Sequence, residues 1–125
     1  PKNPDLYRNL GDAYEKSGNI KKAIEAYEKL LGLDRNNRDA FEALAILHYK
    51  AGSKEKSLEA YKSLAQLEPK KVLWHQKMAY LYEDLGKIDN AREEYKIILS
   101  LDPSNSEAKQ RYVELAKKKI KGKTK

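Results

Sequence analysis

The chain has 125 residues, no cysteine, and a formal net charge of +7, with 36% charged and 40% hydrophobic residues. This balance fits a small, soluble, all-helical domain, and no apolar run approaches the ~18 residues that a membrane span needs. Without cysteine there is no disulfide or thiolate chemistry, no signal sequence is visible, and a reducing cytoplasm is the expected compartment.

The first predicted element is residues 4–37, whose large residues Tyr7, Leu10 and Tyr14 recur at the helix spacing of three and four. Gly18-Asn19 interrupts the pattern, which resumes at Ala23, Tyr27, Leu30 and Leu33. Residues 38–71 repeat these columns with Phe41, Leu44, His48, Gly52, Ser57, Tyr61, Leu64 and Leu67. Residues 72–105 repeat them again with His75, Met78, Tyr82, Gly86, Ala91, Tyr95, Ile98 and Leu101. The period is 34 residues, and a fixed period of roughly 20–50 marks a stacked repeat architecture. Each unit reads as an antiparallel helix pair, its glycine supplying the left-handed residue that ends the first helix. The small column Gly11, Ala45 and Ala79 lets a bulky residue of the second helix approach closely.

Beyond the third unit, Ser104 and Glu107 read as a capping box opening a single amphipathic helix over 106–120. Ala108, Tyr112, Val113 and Ala116 continue the first-helix columns, so this helix is expected to cover the third unit's apolar face. Residues 121–125 read as a basic, disordered tail. Residues 106–125 carry +6 of the +7 net charge, largely from a lysine run that starts at Lys117. Such a run is ordinarily solvated, and with no aromatic residue in 117–125 to stack on a base, nucleic acid is not an expected partner. The chain opens at Pro1 rather than methionine, which reads as a piece of a longer repeat protein.

The columns resemble tetratricopeptide (TPR) repeats: Leu10-Gly11-x-x-Tyr14, Gly18, Ala23, Tyr27 and the closing Asp102-Pro103 follow that family's pattern. The resemblance implies an all-α, right-handed superhelical solenoid of three helix pairs plus a capping helix. It also implies a concave groove that takes peptide segments. His75, with Trp74 before it, stands in a large apolar slot, His48 replaces a tyrosine, and Arg35 replaces a terminal proline.

Nothing in the chain reads as catalytic, and no cofactor or metal is expected. His48 and His75 occupy packing columns, on the order of two helical turns or 10 Å apart in height, too far to share a metal. Hydrogen-bonded core or boundary histidines are the better reading. Carboxylates fall at surface spacing with lysines, and no phosphate loop or nucleophile motif is present.

The helix stripe not used in packing carries Asp5, Arg8, Asp12 and Glu15, then Asp39, Glu42, Ile46 and Tyr49, then Leu73, Gln76, Tyr80 and Glu83. By the resemblance this stripe lines the groove. The expected partner-binding residues are Arg8, Asp12, Glu42, Ile46, Tyr49, Leu73, Lys77, Tyr80 and Glu83, with the four apolar ones as anchors. Stray surface apolarity or packing between repeats is the alternative reading of those four. In the family, acidic tails of Hsp90 and Hsp70 are held by a carboxylate clamp whose slots fall here on Arg8, Asp12, Ala43, Leu73 and Lys77. Asp12 would repel a carboxylate and Ala43 and Leu73 donate nothing, so the clamp is rejected. The expected function is a non-catalytic scaffold for a protein or peptide partner. The alternative is a structural unit that self-associates through the uncapped face around Leu6, Tyr7 and Leu10.

Overall fold

A computed structural model describes the backbone of residues 3–123 and the side chains of residues 3–118. Among the described residues there are seven helices and no strand: α1 (Pro4–Lys16), α2 (Ile20–Leu33), α3 (Arg38–Lys50), α4 (Lys54–Leu67), α5 (Val72–Asp84), α6 (Ile88–Leu101) and α7 (Ser106–Lys123). They form two compact units, one ending at Leu67 with α1–α4, the other beginning at Glu68 with α5–α7. The all-helical repeat expected from the 34-residue period is therefore present, each pair joined by a short turn.

The turns explain the glycine period. Gly18, Gly52 and Gly86 have φ of 83°, 83° and 73°, and no other described residue has positive φ. In the first turn the Asn19 N–H donates to Tyr14 O at 2.8 Å and Gly18 N–H to Glu15 O at 3.0 Å. Ser53 to His48 and Lys87 to Tyr82, both 2.8 Å, repeat this motif, so three orphan helix ends are closed identically. A side chain in the left-handed region costs about 1 kcal/mol or more, which confines these positions to glycine.

Helix starts follow a second period that the sequence reading did not use. Asn3, Asn37, Lys71 and Asn105 precede α1, α3, α5 and α7, while Asn19, Ser53 and Lys87 precede α2, α4 and α6. Asn37 Oδ1 accepts from the Ala40 N–H at 2.9 Å and Asn19 Oδ1 from Lys22 at 3.2 Å. Lys71 and Lys87 offer no side-chain acceptor, so both helices of the third pair start uncapped. Lys87 has φ −89° and ψ 74°, close to the −88° and 79° of Asn19. Lys87→Asn should therefore form the missing bond and raise stability by about 1 kcal/mol, read by urea unfolding. An unchanged midpoint would show that the turn cannot hold a cap.

Two features of α7 correct the sequence reading. Its cap is Asn105, whose Oδ1 accepts from Ala108 N–H at 2.9 Å, while Ser104 Oγ turns back to Asp102 at 2.9 Å. Glu107 is engaged elsewhere, so no capping box forms. The helix also runs past 120 to Lys123, taking in three residues of the segment read as a disordered tail. No helix breaker precedes Gly122. Residues 124–125 lie outside the described residues.

The core is built from the expected columns plus one more. Ala23, Leu30, Ala45, Leu64, Ala79, Ala91, Tyr95 and Ile98 are buried, as are Leu47, Leu81 and Leu115, spaced 34 apart. In α7 it is Ala108 and Leu115 that are buried, whereas Val113, expected to pack, is 49% exposed. Gly11 does admit its partner: a Cβ built there would lie 2.6 Å from the Tyr27 ring. α7 packs on α6 within the second unit.

Candidate functional site

In the first unit the unused stripe runs along α1 and α3. On α1 it is charged and self-paired: Arg8 donates to Asp5 at 3.1 Å, and Lys16 lies 3.0 Å from Asp12. Lys50 of α3 reaches Glu15 of α1 at 3.7 Å, and Arg38 lies 3.6 Å from Glu42. These exposed pairs contribute little stability, about 0–1 kcal/mol each. The next turns of α3 change character: Ile46 is 40% exposed and Tyr49 51%.

In the second unit the same columns place Leu73 and Tyr80 on the surface of α5 at 39% and 41% exposure, with Lys77 also exposed. Tyr80 is not simply a free ring. Its hydroxyl donates to Glu107 Oε1 at 2.5 Å, tying α5 to α7. That bond, with partial burial, pushes the Tyr80 phenol up to about 12. Glu83, expected to flank a groove, is likewise committed to the fold. It accepts from the Tyr95 hydroxyl at 2.6 Å and from Arg111 of α7, which also bonds Glu114. Burial first, and then Glu83, hold the Tyr95 phenol well above its ordinary range. Arg111 was not singled out in the sequence and Glu107 was read only as part of a capping box, because their role depends on α7 lying beside α5 and α6. The 34-residue offset that puts Arg111 level with Lys77 was the available signal.

The two histidines sit as packing residues. His75 is buried, with Nδ1 2.8 Å from Glu94 Oε1 and Nε2 2.8 Å from the Pro69 carbonyl. A carbonyl only accepts, so Nε2–H is the donor there, and the second hydrogen bond joins Nδ1 to the carboxylate. Trp74 beside it is buried and donates Nε1–H to Glu68 at 2.9 Å. His48 is half-buried, and burial lowers its pKa against the opposing pull of Glu28. Among the described residues no three histidine or carboxylate groups gather as a metal site would require. Nor is any described helix long and apolar enough to cross a membrane.

A family model described as tetratricopeptide repeat matches residues 2–71, and a second of the same description matches residues 75–105. No curated protein matches the chain. Among solved structures, the first TPR of Spaghetti (RPAP3) bound to the HSP90 peptide SRMEEVD is 19% identical, with a TM-score of 0.70 over 94% of this chain and 93% of that one. The second TPR domain of human RPAP3, in complex with an HSP70 peptide, is 19% identical with a TM-score of 0.69 over 91% and 98%. MamA is 24% identical with a TM-score of 0.76 over 95% of this chain and 70% of its own. At these identities the likeness establishes a shared fold.

Proposed function

Because the chain belongs to the tetratricopeptide repeat family, we propose that it is a non-catalytic scaffold that holds a peptide segment of a partner protein. The observation that carries this reading is the exposure of large apolar side chains in stripe positions that α1 fills with charges. Ile46 and Tyr49 on α3, and Leu73 and Tyr80 on α5, are each available to an apolar side chain of a bound segment. Single exposed apolar residues are ordinary, but two on each of α3 and α5 within one stripe, with Ile46 and Tyr80 in a shared column, are harder to assign to chance. Arg8, Asp12 and Glu42 in the first unit and Lys77 in the second belong to the same repeat surface, and their charges would set orientation and on-rate more than affinity.

The acidic peptides in the RPAP3 complexes are a poor guide to the ligand of this chain. The slots that would clamp a terminal carboxylate hold Asp12, already paired with Lys16 at 3.0 Å, and the apolar Ala43 and Leu73. An apolar-anchored segment suits them better.

The test is a peptide selected on the chain from a random display library and measured by fluorescence anisotropy. Tyr49→Ala with Leu73→Ala should weaken it by about 2 kcal/mol, roughly 30-fold, if both are hot spots. The melting temperature should change little, since Tyr49 and Leu73 are 51% and 39% exposed. Tyr80 is left intact because its hydroxyl holds Glu107. Unaltered affinity in the double variant would remove the stripe as the site.

A further inference from the structure

Tyr27 and Tyr95 hold the same column of the first and third repeats, but their hydroxyls differ in what they bond. Tyr95 donates to Glu83 at 2.6 Å. Glu15 holds in the first repeat the position of Glu83 in the third, yet its carboxylate lies 3.7 Å from Lys50. Among the described residues the Tyr27 hydroxyl has no hydrogen-bond partner, although the residue is only 6% exposed. So deeply buried a tyrosine ordinarily finds one.

The Tyr27 ring lies against Gly11 of α1: a Cβ built there would come 2.8 Å from Cζ, the atom that bears the hydroxyl. Arg8, Asp12 and Glu15 lie within about one turn of Gly11 on that helix. Burial raises the Tyr27 phenol, and Glu15, Asp12 and Asp39 raise it further against the opposing pull of Arg8. Carboxylates of both α1 and α3 thus act on one hydroxyl, while Arg8 is committed to Asp5 at 3.1 Å.

The sign of this face is not that of the unit. Residues 1–67 hold 12 lysines and arginines against 10 carboxylates, but the stripe of α1 and α3 holds Asp5, Asp12, Glu15, Asp39 and Glu42 against Arg8 alone. Lys16, Lys50 and Arg38 reach Asp12, Glu15 and Asp39 from beside the stripe, in exposed pairs that contribute little and that an incoming cation can replace. Among the described residues no three carboxylates gather as a metal ion requires, whereas a lysine or arginine side chain brings several donors to such a spread. The stripe is open on α3 as well, where Ile46 and Tyr49 are exposed although α2 and α4 both pack on that helix, so its exposure owes nothing to where the chain begins.

On the reading that the chain holds a peptide segment, we propose that the face of α1 and α3 receives a lysine or arginine of a partner protein, which donates to the Tyr27 oxygen and to Asp12 and Glu15, while an apolar residue of the same segment covers Ile46 and Tyr49. The chain's own lysine run has the right sign but is built into α7, whose helix continues to Lys123.

The probe is a library of random peptides with blocked C-termini, selected on the full chain and remeasured singly by fluorescence anisotropy. Binders should share a basic residue near an apolar one. Tyr27→Phe removes a hydroxyl that holds nothing in the free chain, so the melting temperature should not fall while affinity drops about fivefold. Asp12→Lys should weaken the same peptides about tenfold and favour those whose basic residue is replaced by glutamate, a reversal that loss of structure cannot produce. Binders that respond to Tyr49→Ala with Leu73→Ala but not to Asp12→Lys or Tyr27→Phe would overturn the basic ligand and leave the peptide-holding role in place. Binders indifferent to all of these variants would remove both. Sensitivity to Asp12→Lys without sensitivity to Tyr27→Phe would also overturn it, since the charge would then act diffusely. So would a concentration-dependent oligomer that Asp12→Lys dissociates, since the occupant would then be the lysine run of a second copy.

Discussion

Tyr61→Ala should destabilise the chain by about 3–5 kcal/mol, measured by calorimetry or urea unfolding. Tyr61 is 7% exposed, one of the largest side chains buried in the first unit, alongside Leu58 and Leu64 of its own helix. Burial pushes its phenol up, and the Glu42 carboxylate adds to that. Removing it loses the burial of an aromatic side chain and leaves a cavity that a helix pair cannot fully close. The total stability of such a domain is about 5–15 kcal/mol, so the variant is expected to sit near its unfolding threshold. A loss below about 1 kcal/mol would mean that Tyr61 is not a core residue.

Glu94→Ala should cost a similar amount, about 3–5 kcal/mol, for a different reason. Its carboxylate lies 2.8 Å from His75 Nδ1, and the two side chains are 12% and 9% exposed. Removing either partner leaves a buried polar group whose desolvation is no longer compensated. His75→Phe alone should be equally harmful, since it strands Glu94 and frees the Pro69 carbonyl. The second repeat fills the same two positions with Phe41 and Ala60. The double variant His75→Phe with Glu94→Ala should therefore recover to within about 1 kcal/mol of the parent, or exceed it. Additive losses in this cycle would show that the two residues act independently.

Much of the fold was legible because the repeat states it three times. Gly18, Gly52 and Gly86 marked the turns, and Tyr27, Tyr61 and Tyr95 marked the buried ridge of each second helix. Less visible was how the third repeat differs. His75 read as a departure in a packing column, but the compensating change of Ala60 to Glu94 becomes meaningful only when α5 and α6 face each other. The capping box failed because Ser104 had a nearer partner in Asp102, while Asn105 was one residue closer to the first helical turn. At the candidate site, exposure of Ile46, Tyr49, Leu73 and Tyr80 follows from helix periodicity. The commitment of Glu83 to Arg111 and Tyr95 does not. It arises between helices 28 residues apart in the chain, beyond any local pattern.

The packing of the helices has a kinetic consequence. Among the described residues, the extensive helix contacts within each unit join chain neighbours: α1 with α2, α2 with α3 and α3 with α4 in the first, α5 with α6 and α6 with α7 in the second. Forming any of them closes only a short loop, so little chain entropy is lost before native contacts begin to form. Within each unit, ordering can begin in any hairpin and spread to the neighbouring helix. A nascent chain can thus mature in the order in which its helices are synthesised.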